Sequence, residues 1–229
     1  MSAGRIFDLV VATAVLIVAS PAMLAAAVAV RLDSPGPILF RQLRVGRHGR
    51  TFRILKFRTM RHAASGAESG LSVGDEPDVT RIGRLLRQYK LNELPQLFNV
   101  LRGEMSIVGP RPELPGYVAL YKPRDRAAIL AVRPGITDPA SLLYRRESDL
   151  LAREVDPQRA YVERIMPRKL AIARRYLRRR TLLSDLGVIL VTAYAILRPA
   201  RVPLAESAAS LSSRPASVRP QRNTAGLAA

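Results

Sequence analysis

The sequence predicts a mainly helical α/β chain with a small sheet, joined to an N-terminal membrane helix that is re-entrant, turning back at its middle. Three observations predict it. An uncharged apolar run is interrupted by Ser20-Pro21, two short apolar-basic runs lie between turn residues in 34–60, and helical apolar spacing recurs at 81–89, 94–101 and 182–197.

The first element is "LVVATAVLIVASPAMLAAAVAV", Leu9 to Val30, which holds 22 residues without a charge. At about 1.5 Å per residue a straight helix of that length just crosses a bilayer core. Pro21 removes one helical N–H and crowds the carbonyl four residues earlier, so a bend is expected there, with Ser20 placed to hydrogen-bond a freed carbonyl. A bend returns both ends to one surface. The flanks agree: Arg5 precedes the run, Arg31 follows it, and eight Lys or Arg arrive from Arg41 to Arg61 with no acid between Asp33 and Glu68. Basic flanks on both sides favour two cytoplasmic ends. A kinked spanning helix competes with this reading, as does a cleaved signal peptide, for which "MLAAAVA" passes as a cleavage site.

"SPGPILFRQLRVGRHGRTFRILKFRTM", Ser34 to Met60, carries turn residues at Pro35-Gly36-Pro37 and from Gly46 to Gly49, and its two runs read as a hairpin with imperfect alternation. In "RIGRLLRQY" the residues Ile82, Leu85, Leu86 and Tyr89 share one helical face, with Arg81, Arg84 and Arg87 on others. This is either an amphipathic helix over an anionic surface or a core helix with a solvated basic face. In "LNELPQLFNVLRG", Asn92 reads as the N-cap, Glu93 as part of the first turn, Pro95 as tolerated there, and Gly103 as the stop. Leu94, Leu97, Phe98 and Leu101 form its apolar stripe. Such a helix start suits a phosphate as well as a capping side chain. Further on, a basic cluster from Arg174 to Arg180 leads into an apolar helix from Leu182 to Leu197, short for a crossing and carrying Asp185, hence interfacial or packed. After Arg198 the composition turns to Pro, Ala, Ser and Arg without periodicity. The expected organisation is therefore a membrane helix over 1–33, a cytosolic domain over 34–198 and a disordered tail over 199–229.

Composition narrows the chemistry. With 37 Lys+Arg against 18 Asp+Glu, a formal charge of +19 draws the chain toward nucleic acid, phospholipid headgroups or a phosphorylated substrate. Nucleic acid fits poorly: only 5% of residues are aromatic, and it gives the 22-residue apolar run no use. The absence of cysteine excludes disulfides, thiolate nucleophiles and cysteine-ligated metals, and His48 and His62 are too few for a histidine metal cluster.

Four blocks in order carry a family resemblance: "RIFDLVVATAVLIVASP", the 34–60 stretch, "TRIGRLLRQYKLNELPQLFNVLRGEMSIVGPRPE" and "VRPGITDPASL". Through them residues 5–198 resemble the monotopic phosphoglycosyl transferases, bacterial sugar transferases that act on polyprenyl phosphate. The resemblance implies a re-entrant membrane helix carrying a compact cytosolic catalytic α/β domain. It implies transfer of a sugar 1-phosphate from a nucleoside diphosphate sugar to polyprenyl phosphate with Mg²⁺, at the cytoplasmic face of the bacterial inner membrane. It also gives the cations a purpose, because guanidinium forks and ammonium groups bind phosphate oxygens and anionic lipid. Lys56, Arg58, Arg87 and Arg111 are candidates for substrate phosphates, Arg133 is a weaker one, and Gly135 reads as a turn glycine.

In the family pattern an Asp-Glu pair occupies Asn92-Glu93, with Asp as nucleophile and Glu in metal binding or proton handling. Here the nucleophile's place holds a carboxamide, which does not attack phosphorus. Three explanations follow: attack by Glu93, direct transfer with Glu93 holding Mg²⁺, or a membrane-bound binding protein that has lost catalysis. Asp75, Glu76, Asp78, Glu104 and Glu113 are further acids available to a metal.

Overall fold

Pro21 lies within a single long helix, α1 (Ala3–Asp33), in a computed structural model that describes residues 2–61, 71, 73 and 78–197. Ser20 Oγ donates to the Ile17 carbonyl at 2.8 Å, which is the carbonyl that Pro21 leaves without an N–H. The side chain thus repairs the bond that the ring removes. α1 is long and apolar enough to cross a membrane, yet both of its ends rest on the same globular body. Near its start Arg5 donates to the Val100 carbonyl at 2.7 Å, and the Asp8 carboxylate accepts from Ser106 Oγ at 2.8 Å and from the Ile107 N–H at 3.0 Å. At its other end Arg58 donates to the carbonyls of Val30, Ser34 and Pro35, and Asp33 accepts from the Ile82 N–H. Between these anchors Ile17 and Val18 are exposed.

The expected hairpin is present as β1 (Leu39–Val45) antiparallel to β2 (Thr51–Phe57), with a 3-10 turn at Arg47–Gly49 between them. Alternation fails in β2 because Ile54 and Leu55, on opposite faces, are both buried. α2 (Arg81–Gln88) starts at Thr80, whose hydroxyl accepts from the Gly83 N–H. Its expected apolar face is divided: Leu86 is buried and Ile82 half-buried, whereas Leu85 and Tyr89 face outward. A Cβ on Gly83 would lie 2.0 Å from the Thr59 carbonyl oxygen, so glycine here sets how closely α2 approaches the exit of β2.

α3 (Gln96–Leu101) ends at Gly103, whose φ of +81° supplies the expected stop. Then come β3 (Ser106–Val108), α4 (Pro115–Ala119), α5 (Pro123–Leu130) and β4 (Gly135–Thr137), with β4 parallel to β3. Gly135 is a strand residue and not a turn glycine. A Cβ on it would meet the Gly109 nitrogen at 2.1 Å, so close backbone approach is what requires the glycine. The chain continues through α6 (Pro139–Leu143), α7 (Glu147–Leu151), α8 (Pro157–Ala160), α9 (Met166–Arg178) and α10 (Leu182–Leu197), the last starting where its apolar run predicted and helical to the last described residue. Asp185 is buried on α10 because Arg180 and the Tyr176 hydroxyl bond its carboxylate. The tail expected over 199–229 lies outside the described residues.

One apolar cluster joins the first half of α1 to β2, α3 and β3 through Ala12, Phe52, Leu97, Val100 and Ile107. A second joins its last turns to α2 and β2 through Ala26, Val30, Phe57 and Leu86. The largest surrounds Leu151 and Tyr161 beneath α9. The first two leave Glu93 and its neighbours between the ends of β2, α3 and β3.

Candidate active site

Lys90 takes a left-handed conformation (φ +56°) directly after α2 and turns the chain into a 3-10 turn, Leu91–Glu93. This corrects the expected helix start. Asn92 is not an N-cap; it lies inside the turn, and α3 begins only after Pro95. The turn directs Glu93 toward β2, where Lys56 Nζ is 3.2 Å from its Oε1. Arg111 Nη2 reaches the same oxygen at 2.8 Å, and Nη1 lies 3.5 Å from Oε2.

Arg111 is set in place by its own backbone. Its N–H donates to Asp138 Oδ2, while Asp138 caps α6 by accepting from the N–H groups of Ala140 and Ser141. The Gly109–Gly135 approach holds β3 against β4 immediately before this point. On the other side, the buried Asn99 of α3 accepts from the Leu55 N–H and donates to the Arg53 carbonyl and Glu104, tying α3 to β2 beside Lys56.

Charge dominates the cluster. Burial pushes the Glu93 carboxyl up, but Arg111, then Lys56 and Lys90, outweigh it and hold the group well below the usual carboxylate range. Glu93 raises Arg111 above the ordinary guanidinium value against the effect of burial. Burial pushes Lys56 down to about 8, with Arg111 and Arg44 adding to the fall and Glu93 opposing it. Asn92 is 9% exposed, and its Oδ1 has no hydrogen-bond partner among the described residues. One turn on, Gln96 is 1% exposed with an unpartnered Nε2.

Of the residues singled out in the sequence, Glu93, Lys56 and Arg111 come together with Asn92 alongside. Arg58 does not join them; it is buried at the end of α1 on three backbone carbonyls, which is an anchoring role. Arg87 donates Nε to Thr59 Oγ1, and Arg133 donates Nε to the Gly103 carbonyl at the end of α3. Glu104 is bonded to Asn99, and Glu113 faces Arg44, Lys169 and the Tyr161 hydroxyl. Asp78 is exposed, and Asp75 and Glu76 lie outside the described residues. Among the described residues no three His, Asp or Glu side chains form a metal-binding group. Asp138 and Asn99 were missed. Asp138-Pro139 did carry a signal, a capping residue followed by proline at the first helical position.

The pattern described as "Bacterial sugar transferase" matches residues 1–199. The chain is similar to a UDP-glucose:undecaprenyl-phosphate glucose-1-phosphate transferase of Caulobacter vibrioides, 44% identical over 60% of this chain and 52% of that protein. It is similar to a protein of the same name from Escherichia coli, 34% identical over 83% of this chain and 39% of that one. It also resembles the exopolysaccharide production protein PSS of Rhizobium leguminosarum bv. phaseoli, 41% identical over 60% of this chain and 72% of the relative. The chain thus spans about half or less of the first two relatives and most of the third. Match and geometry agree: this chain belongs to the bacterial sugar transferase family.

Proposed function

We propose that this protein is a phosphoglycosyl transferase. It moves a sugar 1-phosphate from a nucleoside diphosphate sugar, a UDP-sugar, to polyprenyl phosphate at the cytoplasmic face of the inner membrane, the first step of a lipid-linked glycan for exopolysaccharide, capsule or O-antigen. The observation that carries this reading is the Glu93–Lys56–Arg111 cluster, placed beside an apolar helix. The relatives' names supply UDP-glucose and undecaprenyl phosphate as the chemical classes.

Each role follows from what the side chains are. Arg111 offers a planar fork and Lys56 a point charge, both suited to phosphate oxygens. In the absence of substrate Glu93 offsets part of their charge, and an arriving diphosphate competes for the same donors. Glu93 Oε2, touched only at 3.5 Å, and the unpartnered Asn92 Oδ1 are oxygen donors on one short turn. They fit Mg²⁺, which prefers oxygen, keeps waters and shares phosphate oxygens with one or two carboxylates. Bound there, the ion would offset charge on the transferring phosphoryl group. Since Lys56 and Arg111 repel a bare dication, the fit is to an ion that arrives with the diphosphate.

α1 brings the lipid acceptor. A 31-residue helix is about 46 Å long if straight, against a bilayer core of about 30 Å. Anchors at both ends onto one cytosolic body support a helix that enters one leaflet and returns, held against an anionic surface by the basic flanks. Asn92 favours a second reading, a binding protein on the same fold. The two are separated by incubating the purified protein with polyprenyl phosphate, Mg²⁺ and a panel of nucleotide sugars: release of nucleoside monophosphate supports the enzyme, and tight donor binding without release supports the binder.

A further inference from the structure

We infer that the reaction proceeds by direct displacement, with an oxygen of the acceptor phosphate attacking the donor and no phosphosugar formed on the protein. The inference rests on the proposed transferase reading and adds the order in which bonds change.

The site holds no uncommitted nucleophile among the described residues. Glu93 Oε1 accepts from Lys56 and Arg111 together, so until an arriving diphosphate takes over those donors the carboxylate is committed to two cations and is held low as a weakly basic, poor nucleophile. The neighbouring carboxylate, Asp138, is 3% exposed and has both oxygens occupied: Oδ1 by the N–H groups of Ala140 and Ser141, Oδ2 by the Arg111 N–H and Ser141 Oγ. Position 92, buried and adjacent, is a neutral amide. The described hydrogen bonds bring no Ser, Thr, Tyr or His side chain onto Glu93, Lys56 Nζ or the Arg111 guanidinium.

Electrostatics point the same way. Lys56 and Arg111 both pair with the one carboxylate of Glu93, so this triad keeps a surplus of one positive charge. A carboxylate at 92 would cancel that surplus. The amide preserves it, and a positive surplus is what two phosphorylated substrates need in order to occupy one site together. Phosphoryl transfer asks little covalent chemistry of a protein and much positioning.

The step balances without a further reactant. An acceptor phosphate oxygen forms a bond to the β-phosphorus of the nucleoside diphosphate sugar. The bond from that phosphorus to the oxygen bridging the α-phosphorus breaks, and its electron pair leaves on the nucleoside monophosphate. No proton need move.

The test uses the full chain in detergent or nanodisc with the nucleotide sugar that supports turnover. With donor and Mg²⁺ but no lipid acceptor, three results are expected: no mass increase of the intact protein, no exchange of labelled nucleoside monophosphate into the donor, and intersecting initial-rate lines once acceptor is varied. Exchange should be about 100-fold or more below the rate of turnover, because a ping-pong enzyme would show the two at comparable rates. Asn92→Asp, which puts a carboxylate back in the same turn, is expected to gain an adduct and acceptor-independent exchange under identical conditions. A phosphosugar found on wild-type Glu93, or acceptor-independent exchange by wild type at a rate comparable to turnover, overturns the inference while leaving the transferase reading intact. No release of nucleoside monophosphate with any donor and acceptor together overturns that reading, and the inference with it.

Discussion

Arg111 Nη2 and Lys56 Nζ meet on one oxygen of Glu93, at 2.8 Å and 3.2 Å, although the three residues come from a loop, a strand and a 3-10 turn. Glu93→Gln keeps the shape and removes the charge. The expected outcome is loss of nucleoside monophosphate release by about 100-fold or more. Unlike a helix-start carboxylate, this one also supports the fold, so a stability loss of about 2 kcal/mol is expected, below the full cost of breaking a buried pair because Arg111 is one-third exposed. Thermal unfolding in detergent beside the activity assay checks both.

Lys56 sets an alkaline limit. Its ammonium is held at about 8, so phosphate binding should weaken as pH rises through that value, and Lys56→Arg should move the descending limb of the pH–rate profile upward. Stability runs in the opposite direction. Between about 8 and the unfolded value of about 10.4 the unfolded chain binds the extra proton, so this group's contribution to stability rises with pH. Glu93, held low, contributes stability that is present above the unfolded carboxylate pKa and lost only as pH falls through its folded value, so no activity loss from Glu93 is expected near neutrality.

Gly135→Ala should fail to fold or melt far below wild type, since its Cβ would sit 2.1 Å from the nitrogen, 2.5 Å from the oxygen and 2.7 Å from the Cα of Gly109, all backbone. Gly116→Ala, with nothing within 4 Å, should be silent. Similar melting temperatures for the two would refute the close-approach argument.

Asn99→Leu should destabilise by about 3 kcal/mol, because it leaves the Leu55 N–H and the Arg53 carbonyl without their partner in a fully buried place. Denaturant titration reads the loss. Asn99→Asp, which keeps the acceptor for Leu55 but sets a buried carboxylate oxygen against Glu104 and the Arg53 carbonyl, should lose at least as much.

Cysteines introduced at Ser2 and Arg41, both exposed in this cysteine-free chain, should each label only from the cytoplasmic side of intact cells. Periplasmic labelling at residue 2 would mean that α1 spans.

What the sequence made legible was local. The start of α10, the hairpin, the Gly103 stop and the Ser20 repair each depend on residues within a few positions of one another. The start of α3 was misplaced because it depends on Lys90 adopting a left-handed conformation, which lysine does not announce. β3 and β4 are three residues each, too short for a period to register. Within the site, the chemistry of Glu93, Lys56 and Arg111 could be read from residue type. Arg58 could not be told apart from them, because what separates it is the end of α1 folded back onto it from 24 to 28 positions away.

The anchors of α1 bear on the design of a water-soluble form. Cutting the chain after Asp33 would remove the long apolar helix, and with it the contacts that leave Ala12 at 0% exposure. The cut would strip the Asp8 acceptor from Ser106 and Ile107 and the carbonyl of Val30 from Arg58. The helix is roof as well as long apolar segment, so the remaining fragment would trade one insolubility for another, exposing the apolar faces of α3, β2 and α2 that α1 now covers.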